Sequence, residues 1–170
     1  KLAAPASETV TLDGIRALAS AHRQLTDTAT RKTFYVLYLA ARLEKDGAVR
    51  DDLLGLTLKS EGIIALFMPN LTAASADDEG KPKLPVWMQQ STLIHEFGHA
   101  VGLFTPSVPL TADHHDAERG AHCTNTDCVM YYASEGAADL RAFVNRVVAE
   151  AGEEASLYGA DCRADAAAAR

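Results

Sequence analysis

The stretch "STLIHEFGHAVGL", residues 91–103, constrains this chain more than any other. Leu93, Ile94, Phe97, Ala100 and Val101 recur at helical spacing, which predicts a helix with these residues on its buried side. Pro85 falls in the first turn of that helix, where a missing N–H is harmless. His95 and His99 are four residues apart and share one face, with Glu96 between them in sequence. Two imidazoles and a carboxylate in a half-buried helix are unfavourable unless they are partnered. The fold must therefore bring them a partner. Gly102 permits a sharp turn where the helix ends.

The HExxH pattern names a chemistry for that partner. Imidazoles at i and i+4 can share one zinc ion, which accepts neutral imidazole nitrogen and tolerates an open fourth position. A glutamate directly after the first ligand is placed to take a proton from water that the ion has acidified, and to return it to a leaving amine. Three protein ligands are normal for a catalytic zinc site, so a third is required beyond His95 and His99. The position three residues after Gly102 holds Thr105, a poor zinc ligand. The candidates that follow are Asp113, His114, His115, Asp116, Glu118 and His122.

The rest of the chain frames this helix. Its 170 residues fit one domain, 1–170, and 48% apolar residues supply a core. The net charge of -7 argues against a nucleic-acid surface, and no apolar run is long enough for a membrane span. No signal peptide is visible in "KLAAPASETV". Ile15, Leu18, Ala19, His22 and Leu25 mark a first helix, with Asp13 as N-cap. Phe34 to Leu39, "LLGLTLKS" and "GIIALFMPNL" read as strands, and Thr72 to Pro85 as a loop. Periodicity vanishes from Phe104 to Asp127. A last helix begins near Ser134 or Glu135, carries Leu140, Phe143, Val144, Val147 and Val148, and stops at Gly152; "RADAAAAR" reads as a frayed helix end. The order suggests an α+β fold, an α/β sandwich with a mixed sheet against helices.

"GAHCTNTDCVMYYA", residues 120–133, extends the pattern. His122-Cys123, Cys128 and Met130 reproduce a histidine followed by cysteine, four residues, cysteine, one residue and methionine. Together with His95, Glu96, His99 and Gly102 this resembles the metzincin metallopeptidases, in their archaemetzincin form. The resemblance covers about residues 91–103 and 121–132. It departs in the nineteen residues between Gly102 and His122, where the family has two. A loop insertion at about 104–121 accommodates them at small entropic cost, since each doubling of loop length adds only ~0.6 kcal/mol. The resemblance implies a metzincin-like sheet with a backing helix, an active-site helix, a Met-turn and a C-terminal helix. It also implies one catalytic Zn2+ on His95, His99 and His122, Glu96 as general base and acid, and Met130 as an apolar floor. Tyr132 lies where some metzincins carry a tyrosine that assists the reaction, and a phenol there would donate to a developing oxyanion. The partner implied is a peptide or protein substrate, paired along an edge strand near "IIALFMPN".

Alternatives stay open. His114, His115 or Asp116 could be the third ligand or hydrogen-bond the ligands, and Glu118 would make the site a gluzincin's. A closed site with a fourth protein donor would make the chain a non-catalytic metal-binding protein, and the 104–121 loop could cover a latent cleft. Cysteines after the third histidine serve a second, four-cysteine zinc site in archaemetzincins. Only Cys162 follows here, so a disulfide among Cys123, Cys128 and Cys162 is expected ahead of a mixed site with histidine or aspartate. That disulfide would imply an extracytoplasmic location.

Overall fold

The computed structural model describes residues 7–76, 84–148 and 157–169. They form an α+β fold with two small mixed sheets. In the first sheet β1 (Thr9–Val10) runs parallel to β3 (Arg42–Lys45), which pairs antiparallel with β4 (Ala48–Arg50). In the second, β6 (Ile63–Phe67) lies between β2 (Tyr35–Leu39), parallel to it, and β5 (Gly55–Leu58), antiparallel to it. The helices among the described residues are α1 (Leu12–His22), α2 (Met68–Ala74), α3 (Leu84–Val101), α4 (Ala137–Phe143) and α5 (Ala160–Ala168).

The position of β6 corrects one expectation. The strand predicted to be the substrate-binding edge is the centre of its sheet, and all five residues are buried. Ile63, Ala65 and Phe67 pack with Ile15 and Ala19 of α1, while Leu66 turns the other way toward Leu84 and Met88 of α3. Side chains of a strand alternate between faces, so a strand covered on both sides reads as an unbroken apolar run. The edges are β2 and β5.

Several boundaries move. Thr11, not Asp13, caps α1: its hydroxyl accepts from the Gly14 N–H at 3.1 Å. "MPNLTAA", divided at sequence level between a strand and a loop, is α2, with Pro69 near its start. Asn70 of α2 is buried because all its polar atoms are used: it donates to the carbonyls of Arg50 and Leu53 and accepts from Arg42. The hairpin β3–β4 was not among the expected strands. Its turn, Asp46-Gly47, has φ of 54° and 77°, the two positive angles that a two-residue hairpin of this dipeptide requires. The predicted last helix starts at Ala137, after a 3-10 turn at Tyr132–Glu135, and widens to π geometry over Val144–Val148. Its expected stop, Gly152, lies outside the described residues. Of the segment read as a frayed end, residues 163–168 belong to α5.

Helix α3 forms as predicted, and Leu93 and Ile94 pack partly buried against the core, but the most deeply buried stripe is a different one. Met88, Ser91, Thr92, His95, Glu96 and Gly98 face inward, whereas Phe97 and Val101 are exposed. Phe97 packs edge-on against Phe34, ring centroids 5.1 Å apart. The motif face is thus the core face of the helix. It lies against β5, β6 and the segment around Met130.

Candidate metal centre

The rotation of α3 sends His95, Glu96 and His99 into the protein. His95 is 1% exposed. Its Nδ1 lies 2.6 Å from the Val129 carbonyl, which can only accept, so Nδ1 carries the proton and Nε2 keeps its lone pair. His122 is arranged alike: Nδ1 donates to the Arg119 carbonyl at 2.6 Å, leaving Nε2 to point inward. The Nε2 atoms of His95 and His99 face each other at 3.1 Å. One ligand atom from each of His95, His99, His122 and Glu135 falls in a group whose members all lie within 4.8 Å of one another.

This donor set fits a metal ion. Ligands at ~2.0–2.1 Å in a tetrahedron stand about 3.3 Å apart, close to the separation of the two helix-borne nitrogens. Two imidazole nitrogens facing at 3.1 Å need a proton or a cation between them. Burial, reinforced by the neighbouring His95 and His122, holds His99 neutral by lowering its pKa to about 3. Neutral imidazole is the ligating form.

The third histidine of this group is His122, brought back by the long segment after α3. The other candidates are placed elsewhere. Thr105 closes the turn after α3, its hydroxyl bonded to the Gly102 carbonyl at 2.6 Å, and Gly102 takes the expected positive φ of 94°. His115 bonds the Gly120 carbonyl at 2.7 Å, and the Asp116 N–H donates to the His122 carbonyl. Asp113 and Glu118 are exposed. The ring of Tyr132 packs tilted against that of Tyr131, and the guanidinium of Arg119 lies over it, 4.3 Å from its centroid. The carboxylate of Glu135, absent from the candidates read in the sequence, also reaches the imidazoles. Its only sequence signal was its place five residues after Met130.

Glu96 sits beside this group rather than in it. It is 5% exposed and accepts a 2.7 Å hydrogen bond from Thr57 Oγ1, while the same hydroxyl reaches the Glu96 backbone carbonyl. Burial raises its pKa, despite the opposing pull of His95 and Thr57. Gly55 makes room for it: a Cβ there would lie 2.9 Å from Glu96 Oε1. Met130 is fully buried and packs against Gly98 of α3.

A second group lies in the adjoining core. Cys123, Cys128 and Cys162 are free, so the expected disulfide is not formed. The inference from it to an oxidising compartment loses its basis. The sulfurs of Cys128 and Cys162 are 3.5 Å apart, and His114 Nδ1 lies 3.3 Å from the Cys123 sulfur and 3.9 Å from that of Cys162. Hydrogen bonds from Cys123 and then Cys162 hold Cys128 as a thiolate, with a pKa of about 3. Backbone N–H groups of Asn125 and Gly159 donate to Cys123 and Cys128. On its far side His114 bonds the buried Asp165 at 2.8 Å, and Asp165 also accepts from the Thr111 N–H and hydroxyl. His114, Cys123 and Cys162 each offer a ligand atom within 4.8 Å of the others, a donor set suited to a metal ion, with the Cys128 sulfur beside that of Cys162 and a carboxylate behind the imidazole. The insertion is thereby tied to α5 through Thr111 and His114.

No family profile, curated protein or solved structure matches the chain.

Proposed function

We propose that the chain is a zinc-dependent endopeptidase of metzincin type. What carries this reading is the convergence of His95, His99 and His122 beside a buried glutamate of the same helix. His95, His99 and His122 would hold one zinc ion, which when bound supplies an acidified water and polarises the scissile carbonyl. Glu96 takes a proton from the attacking water and returns it to the leaving amine. Its raised pKa suits both tasks, and Thr57 fixes one oxygen so that the other is free to work. An extended peptide would pair with β5, the edge strand next to Glu96, in place of the strand first expected. The Cys123, Cys128, Cys162 and His114 group would hold a second, structural zinc, fastening the segment that carries His122.

The other reading, a non-catalytic protein with a closed metal site, is favoured by the fourth donor, Glu135. Cleavage of a peptide library by the zinc-loaded chain, abolished by chelation and restored by zinc, is expected for the peptidase. Full zinc occupancy with no cleavage of any peptide would favour the closed site.

A further inference from the structure

We infer that Glu135 is the chain's own occupant of the fourth position at the histidine centre, a displaceable carboxylate that closes the site at rest and must withdraw before substrate enters. The inference rests on the proposed zinc site. One oxygen, Oε1, lies 3.1 Å from His122 Nε2, 3.9 Å from His95 Nε2 and 4.0 Å from His99 Nε2. A side chain bonded to His122 alone would not need to approach all three rings with the same atom. An oxygen near all three ligand nitrogens stands where a fourth ligand stands.

The anchoring of Glu135 distinguishes it from the histidines. The side chains of His95, His99 and His122 are 1%, 17% and 8% exposed, whereas that of Glu135 is 47% exposed. It therefore enters from the solvent side. It sits at the end of the four-residue 3-10 turn Tyr132–Glu135, which the Gly136 N–H closes onto the Ala133 carbonyl. Withdrawal requires rotation of a half-exposed side chain, with no rearrangement of the core. Glu96 contrasts with it in every respect, being buried, tied to Thr57 and outside the group of converging donors. The two carboxylates thus divide the work: Glu96 handles the proton and Glu135 guards the open position. A closed four-donor site is inert, while one whose fourth donor is exchangeable becomes catalytic when that donor leaves. The same residue accounts for both readings of function, as two states of one site.

The test uses the whole chain loaded with Co(II), titrated with azide and followed by difference absorption in the visible d–d bands. Thiolate bands from the cysteine group cancel in the difference. If Glu135 occupies the fourth position nine-tenths of the time, Glu135→Ala should bind azide about tenfold more tightly than the wild type. Glu135→Gln, which keeps the shape without the charge, should also bind more tightly and serves if the alanine variant folds poorly. Equal azide affinity in the wild type and both variants overturns the role of Glu135 and leaves the histidine site standing. Equal cobalt content in the wild type and in His95→Ala overturns the histidine site itself, and this inference with it.

Discussion

Met130 lies directly beneath Gly98, so close that a methyl group on the glycine would collide with the methionine sulfur. The glycine inside HEFGH is thus a packing residue, and the methionine meets the helix between the two motif histidines. Gly98→Ala would ordinarily favour a helix, but here the added carbon must displace a fully buried side chain. We expect destabilisation of about 1–3 kcal/mol and weaker zinc binding. An unchanged denaturation midpoint would mean that Met130 relaxes freely, against the view of it as a fixed floor.

His122→Ala should weaken zinc binding strongly, whereas Thr105→Ala should leave it unchanged, because the Thr105 hydroxyl bonds the Gly102 carbonyl, Lys59 and Ser107 and none of the histidines. His115→Ala, Asp116→Ala and Glu118→Ala should each stay within about tenfold of wild type, the lower end for groups outside the ligand shell. Competition titrations against a chelator of known affinity measure all five. A loss in Glu118→Ala that equals the loss in His122→Ala would move the site to the gluzincin pattern.

Glu96→Gln should retain zinc and lose peptide cleavage by roughly 10²–10⁴-fold, since the amide keeps the shape and cannot take a proton. Metal content and turnover are to be measured on the same sample. Cleavage equal to wild type would remove Glu96 from the mechanism.

Metal analysis should find two ions per chain, one more than the histidine motif alone implies. Cys162→Ser or His114→Ala should reduce this to one and lower the unfolding temperature. Asp165→Asn should keep both ions but weaken the second by ~10–100-fold, as for other groups that orient a ligating histidine. Thiols that react with a thiol reagent equally fast before and after metal loading would argue that the cysteine group binds nothing.

The metal-free protein should show a pH-dependent contribution from the His122–Glu135 pair. Burial opposes the charge on His122, but the bond to Glu135 wins and raises its pKa above 6.5. Glu135 is lowered below its usual 4.5, first by His122 and then by His95. The histidine's contribution is complete below 6.5 and disappears as pH rises through its raised folded value. The carboxylate's contribution is complete above 4.5 and disappears as pH falls through its lowered folded value. The stability difference between wild type and Glu135→Gln in chelator should therefore be larger at pH 5.5 than at pH 8.5. A difference that does not vary with pH would mean that the pair is not formed in solution.

Much of the site was legible because it is local. Spacing of four on a helix fixes two histidines on one face whatever surrounds them, and the block from His122 to Met130 carries its own turn. The second group was harder to read. Cys123 and Cys128 are close in sequence, but their partners, Cys162 and His114, come from α5 and the insertion, and no local pattern links them. With only three cysteines in view, a disulfide was the simpler expectation, and the imidazole beside the cysteines is that of His114, from the long segment before His122.

By itself, the sequence determined that the stretch running from Pro85 through the HExxH motif is a helix with two imidazoles and a carboxylate on adjoining positions, and that the chain turns sharply at Gly102. Only the tertiary structure decided which face of that helix is core. Apolar periodicity pointed to Phe97 and Val101, but the motif face is buried because β5, Met130 and the Val129 carbonyl supply the partners that its polar groups require. The same holds for β6, whose apolar run shows that it is covered on both sides without saying whether it is central or an edge; that depends on pairing with β2 and β5, which are distant or reversed in the chain. Glu135 marks the limit most clearly. Nothing in "YYASEG" distinguishes it from a solvated glutamate, and it becomes part of a site only because the turn after Met130 brings it to face three histidines from two other segments.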